Sequence, residues 1–347
     1  MPPLSGQSES PVITALAISR DGQRIAAAGD DHAIRIVSCR DGKILATLTG
    51  HLDWVQAVDF DPSGSALASC AKDGSVMVWR LDASPRSTAN GESAGGESEP
   101  MVAPKLLAHR STSHALFALV FASETTLYTA GFSDALYRMD LSNLDLVVAH
   151  RSDCHDIRTI ACAHQHDWIA YGGRDGIVRV LDRNESPNAA DATAACKLRW
   201  SQAAHFDRIR GIAFTSGDDR VISVGEDRRM VSIDAERGTM VSQWDIAAGK
   251  LMALQLLDDS KAAVSGSDNC IRIVDLQRGN VVSKLVGHDG SIAVLRRTPS
   301  HLVSGGFDTT IRTWNIQQSL HDLDASGRFL HPIAAQFEDS SSQESIR

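Results

Sequence analysis

The sequence predicts an all-β fold, a seven-bladed β-propeller of four-stranded antiparallel blades, and three observations carry that expectation. One phrase recurs seven times, its spacing keeps returning to about 40 residues, and the text between recurrences alternates apolar and polar residues with period two. In order the recurrences read AAAGDDHAIRIVS from Ala26, ASCAKDGSVMVWR from Ala68, YTAGFSDALYRMD from Tyr128, AYGGRDGIVRVLD from Ala170, ISVGEDRRMVSID from Ile222, AVSGSDNCIRIVD from Ala263 and VSGGFDTTIRTWN from Val303. The polar residue of the central turn falls at Asp31, Asp73, Ser133, Asp175, Asp227, Asp268 and Asp308, spaced by 42, 60, 42, 52, 41 and 40 residues. Each long spacing coincides with a biased insert, 83–104 rich in Ser, Gly, Glu and Pro, and 183–195 rich in Ala and Asn.

Within a unit the elements follow in order. WVQAVDF reads as a first strand, SALASC as a second and SVMVWRL as a third, separated by the turn residues DPSG and KDG. KILATLTGH, LDLVVAH, TMVSQWDI and NVVSKLVGH supply fourth strands. Seven such units must stack or close into a ring, and closure hides the edge strands that would otherwise pair with other chains. The expected organisation is a short N-terminal tail over 1–10, one propeller over 11–335 with flexible inserts at 83–104 and 183–195, and a disordered tail over 336–347. The first ten residues are poor strand material. Ring closure is therefore expected from the C-terminal segment GRFLHPIAA at Gly327, which aligns with GKILATLTG at Gly42; Pro332 is tolerable on an outermost strand.

Composition narrows the function classes. The chain has 347 residues, a formal charge of −9, 43% hydrophobic and 22% charged residues, which is a globular composition. The acidic balance argues against nucleic acid as a partner. MPPLSGQSES lacks the basic and apolar regions of a secretory leader, and the longest apolar stretch, ALFALVFA at 115–122, is far short of a membrane span. A soluble cytoplasmic protein with no membrane association is expected, its six scattered cysteines reduced and buried. Of the net charge, −2 lies in the first insert and −3 in residues 321–347, so the ring itself is closer to neutral.

At this point the chain resembles the WD-repeat family, whose signature is a Gly-His near the start of the repeat and a Trp-Asp at the end of its third strand. The first column reads Gly50-His51, Ala108-His109, Ala149-His150, Ala204-His205 and Gly287-His288. The second keeps Trp79 and Trp314, with Val37, Met139, Leu181, Ile233 and Val274 in the other units. The resemblance implies structural quartets in which Asp orients His, His meets Ser, and Ser meets Trp: His51, Ser69, Asp73 and Trp79, then His288, Ser304, Asp308 and Trp314, with His205, Ser223 and Asp227 lacking only the Trp. Recurring Ser, His and Asp also suggest a nucleophilic triad, but such a triad is recognised by geometry, and stiffening of each blade is the better account.

The resemblance further implies binding on the face that carries the Asp turns and Gly-His loops, called the top here. A protein or peptide site is expected there, with Trp54, Phe132 and Phe307 as anchors, Lys72, Arg174 and Arg208 as a polar rim, and Phe206 beside them. The expected function is a non-catalytic scaffold, a monomeric propeller within a larger complex, using no cofactor. The alternatives are an enzyme with a site in the propeller channel and a substrate receptor of a ubiquitin-type ligase. Against the first stand the missing paired carboxylates and phosphate-cradling Gly loop; against the second, Trp79-Arg80 and Trp314-Asn315, which depart from Trp-Asp-x-Arg. His150, Cys154, His155, Cys162, His164 and His166 are all candidate metal ligands, but a strand over 157–162 would separate the first three from the last two by about 20 Å, so no metal site is expected.

Overall fold

The computed structural model describes residues 10–81, 103–183, 196–246, 249–316 and the backbone of 333–335. Within these, twenty-eight strands form seven four-stranded antiparallel sheets, one per repeat, each in sequential strand order. The inner strands are Ile13–Ile18, Val55–Phe60, Leu116–Phe121, Ile157–Cys162, Ile209–Phe214, Leu251–Leu256 and Ile292–Arg297. The outer strands are Ile44–Leu48, Lys105–Ser111, Asp145–Arg151, Lys197–Ala203, Met240–Asp245, Val281–Val286 and Ile333–Ala335.

The core lies between blades. Leu16, Ile13 and Ile25 of blade 1 pack against Val294, Val303 and Ile311 of blade 7, and an equivalent apolar cluster fills each other junction. No blade can bury both of its faces alone; each needs two neighbours, and the last needs the first. At about 1.5–3 kcal/mol for each fully buried large aliphatic side chain, the 7–1 junction is the apolar seam that holds the ring shut.

The last blade is completed from the C-terminal segment, with Ile311 opposite Ala335, Arg312 opposite Ala334 and Thr313 opposite Ile333. In blade 1 the corresponding pair is Ile34 and Leu48. The sequence alignment placed Ile333 at the position of Leu48; the ladder places Ala335 there, two residues further on. A slip of two preserves which residues share a face, which is why apolar alternation alone could not fix the register.

Turns on the top face explain the recurring Asp. Its carboxylate accepts the backbone N–H two residues on, as in Ser75 to Asp73 (2.8 Å), Ile177 to Asp175 (3.1 Å) and Thr310 to Asp308 (3.2 Å), and the Ser133 hydroxyl does the same for Ala135. The residue after the Asp adopts a left-handed conformation: Gly74 and Gly176 in two blades, but His32, Arg228, Asn269 and Thr309 in four others. On the opposite face, Asp218 accepts from the backbone N–H groups of His164, Gln165 and His166, tying blade 5 to blade 4. Ser216 and Asp259 link blade 5 to blade 6 in the same way.

Both inserts leave between third and fourth strands, on that opposite face. Most of their residues, and those of the two tails, lie outside the described residues. Arg183, the first residue of the second insert, is buried and bonds the Asp167 carboxylate and the carbonyls of Ala122 and His166. The six cysteines are free thiols; Cys39 is exposed and Cys162 half-buried, so burial holds for four of them only.

Candidate functional site: the mouth of the axial channel

Every inner strand carries a bulge at the same place. Ile157 opposes Gly173 and Thr159 opposes Gly172, leaving Arg158 unpaired, and the same skip occurs in the other six blades. A bulge re-aims the extra residue. Here it aims Thr14, Gln56, Phe117, Arg158, Arg210, Met252 and Ala293 into one axial cavity of about 390 Å³, so that all seven blades contribute to its wall.

The cavity is chemically lopsided. Trp54, Phe117 and Phe307 give it three aromatic rings, and the charged side chains lining it are Lys72, Arg158, Arg210 and Arg296, all cations. The Lys72 ammonium lies 3.7 Å from the centre of the Trp54 ring, and the Arg158 guanidinium 3.6 Å from that of Phe117. Two buried carboxylates stand behind this wall. Asp156 meets Arg158 at 2.5 Å and Arg208 at 3.6 Å, while Glu226 meets Arg210 at 2.7 Å, Arg208 at 3.1 Å and the Lys250 ammonium. Burial opposes ionisation of Glu226, but the Lys250 hydrogen bond and the charge and bonds of Arg210 and Arg208 prevail and hold its pKa at about 2. On the inner strand of blade 2, burial pushes the Asp59 carboxyl up to about 6, against the Phe121 N–H bond (2.8 Å) and the charge of Arg296.

The sequence-predicted residues divide into three places. Trp54, Lys72 and Phe307 converge on the cavity. Phe132 and Arg174 line a separate top-face groove of about 780 Å³ between blades 3 and 4, among Asp134, Asp153, Asp156 and Asp175. Phe206, 84% exposed, lies under the Arg229 guanidinium away from both. Arg208 is not a free rim cation, being held by Glu226 and Asp156. Arg158 and Arg210 were missed altogether; the signal was the second residue of each inner strand, which only a bulge turns inward.

Three His side chains occupy the expected buried position. In blade 7 the Trp314 indole N–H donates to Ser304 Oγ (2.8 Å), the hydroxyl meets His288 Nε2 (2.7 Å), and His288 Nδ1 meets Asp308 Oδ2 (2.7 Å). His205 joins Ser223 at 2.9 Å and Asp227 at 2.9 Å in the same manner. Blade 2 differs: His51 Nε2 meets Ser69 at 2.6 Å, but Nδ1 meets the Ser75 hydroxyl at 2.6 Å, which in turn donates to Asp73 at 2.6 Å, while Asp73 itself is 3.6 Å away. A Ser two residues after the turn Asp inserts its hydroxyl into the chain. Trp79 packs edge-on against His51 at 6.1 Å. The remaining two dipeptides of the Gly-His column were mis-registered. His109 and His150 lie within outer strands, opposite Met77 and Leu136, and the positions equivalent to His51 and His205 are Ser113 and Asp153.

Comparison with known proteins agrees with this geometry. The repeat family described as "WD domain, G-beta repeat" matches residues 3–38, 42–80 and 279–315. The chain is 24% identical over 281 residues to apoptotic protease-activating factor 1 of Danio rerio, covering 77% of this chain and 19% of that protein. It is 25% identical over 254 residues to the ribosome biogenesis protein WDR12 homolog of Chlamydomonas reinhardtii, 67% and 54% respectively. To human Striatin-4 it is 23% identical over 290 residues, 78% and 37%. The chain is a seven-bladed β-propeller with WD-repeat matches in its first, second and last blades. It spans about half or less of the length of these relatives.

In this ring the histidine-rich stretch is divided by its strand. His150 Nδ1 meets the Cys196 carbonyl at 3.1 Å, His155 borders the outer groove, and His166 lies across the inner strand, bonded to Asp218 at 3.2 Å and stacked on Trp168 at 4.0 Å. Among the described residues no group of three or more His, Cys, Asp or Glu side chains could hold a metal ion, and no helix is long and apolar enough to cross a membrane.

Proposed function

We propose that this WD-repeat propeller is a non-catalytic scaffold that binds a protein or peptide partner on its top face, at the mouth of the axial channel. The observation that carries the reading is the convergence of Trp54, Lys72 and Phe307, from blades 2 and 7, on a cavity walled by all seven blades. Phe307 is 44% exposed, so an aromatic surface remains available at a concave centre, the usual position of interface anchors. The Ser, His and Asp groups that might have suggested catalysis are buried and spent on each other in the blades. That favours scaffolding over hydrolysis. A single cytoplasmic propeller inside a larger assembly is the setting in which such a site would operate.

The test is affinity capture with Trp54→Ala, Phe307→Ala and their double variant, with circular dichroism and melting temperature as fold controls. Loss of stoichiometric partners from a folded double variant is expected. Undiminished recovery would move the site elsewhere, the outer groove around Phe132 and Arg174 being the next surface to vary.

A further inference from the structure

The occupant of the mouth can be narrowed by its chemistry. The protein carries a charge of −9, yet the charged side chains lining its axial cavity are four cations. Their compensation is uneven. Arg158 and Arg210 each share a buried carboxylate, Asp156 and Glu226, that also serves Arg208, and Glu226 serves Lys250 as well. Lys72 stands on the Trp54 ring and, among the described residues, pairs with no carboxylate. Among the described residues, Lys72, Arg158, Arg208, Arg210 and Lys250 find ion-pair partners in Asp156 and Glu226 alone, which leaves more cations than carboxylates in this group. Low-dielectric walls focus such an excess along the cavity axis.

Resting on the reading of the mouth as the partner site, we infer that it receives an acidic segment of a partner protein. An Asp or Glu carboxylate of that segment enters toward Lys72, Arg158 and Arg210, and an adjacent apolar side chain packs on Trp54 and Phe307. The cavity of about 390 Å³ admits one or two side chains, which suits a short linear segment.

The experiment pans a phage-displayed random dodecapeptide library on the full chain, then measures the selected peptides by titration calorimetry against the wild type, Lys72→Glu, Arg210→Gln and the Trp54→Ala, Phe307→Ala pair. Lys72→Glu leaves no buried carboxylate unpaired, so it stays informative even if Arg210→Gln disturbs Glu226. Enrichment of Asp or Glu beside Leu, Ile or Phe is expected, with binding to Lys72→Glu about tenfold weaker or worse and wild-type binding weakening with added salt. Enrichment of basic or uncharged sequences, full affinity for Lys72→Glu, or no enrichment at all overturns the inference. Peptides without acidic bias that still lose affinity for the aromatic pair variant would refute the charge assignment and leave the top-face site standing. Peptides that bind the pair variant fully would refute the site itself.

Discussion

Removing the Asp308 carboxylate should cost more than removing the equivalent Asp73 carboxylate, and the difference can be worked from the two hydrogen-bond chains. Asp308 accepts from His288 Nδ1 at 2.7 Å, from the Asp289 N–H at 3.0 Å and from the Thr310 N–H and hydroxyl at 3.2 and 3.0 Å. Burial pushes the His288 pKa down against the pull of Asp308, so the ring is neutral, donating from Nδ1 and accepting the Ser304 hydroxyl at Nε2. Asp308→Ala strips the ring donor of its carboxylate and leaves only the Thr310 hydroxyl, at 3.2 Å, in reach. A buried donor losing its main acceptor costs about 1–3 kcal/mol, and the lost turn bonds place this variant near the top of that range. Asp73→Ala loses equivalent turn bonds, from the Leu52 N–H at 2.7 Å, the Ser75 N–H at 2.8 Å and the Ser75 hydroxyl at 2.6 Å, but His51 Nδ1 keeps the Ser75 hydroxyl, so a loss smaller by about 1 kcal/mol is expected. For a chain of this size 1 kcal/mol corresponds to about 1–2 °C in melting temperature. Scanning calorimetry of both variants checks the order. Equal melting temperatures, or a larger loss from Asp73→Ala, would refute the reasoning from acceptor count.

Further predictions concern the backbone and a buried carboxyl. Thr309 is β-branched and left-handed at φ 63°; Thr309→Gly should raise stability by about 0.5–1 kcal/mol, read as a higher urea midpoint. Gly131→Ala would put a Cβ 2.0 Å from the Ala115 carbonyl oxygen and 2.5 Å from the Leu116 Cα, displacing the bulge of blade 3; a loss of about 2–3 kcal/mol, or failure to fold, is expected in the same assay. Asp59 has a folded pKa of about 6, above its unfolded value, so the folded state binds the extra proton and stability from this group falls as pH rises from about 4 through 6. Asp59→Asn should flatten that part of the stability profile in urea titrations run at successive pH values.

How far the sequence alone could reach follows from the range of each signal. Strand alternation and the Asp turn are local, and they recur because each turn needs a side-chain acceptor two residues before the next strand; hence seven blades and their boundaries were readable. The Gly-His column depended on pairing across strands, and at His109 and His150 the dipeptide recurs while the register does not. Closure by the C-terminal segment was readable from its apolar alternation, but a two-residue slip leaves that alternation unchanged. At the site, the bulky groups at turn and strand-start positions pointed to Trp54, Lys72 and Phe307. Phe206 obeyed the same rule and lies elsewhere, because exposure in a loop says nothing of direction. Arg158 and Arg210 escaped notice because a strand-second residue normally alternates into a sheet face, and only the shared bulge turns all seven toward the axis.

The claim that the axial mouth is where a partner docks is tested most directly by site-specific photo-crosslinking. A benzophenone side chain is placed at Trp54 and, on the opposite face, at Gln165, whose backbone N–H is held by Asp218. After capture of a partner, irradiation should yield a crosslinked adduct from position 54 and none from position 165. An adduct from position 165 alone would contradict the account and assign the interaction to the opposite face.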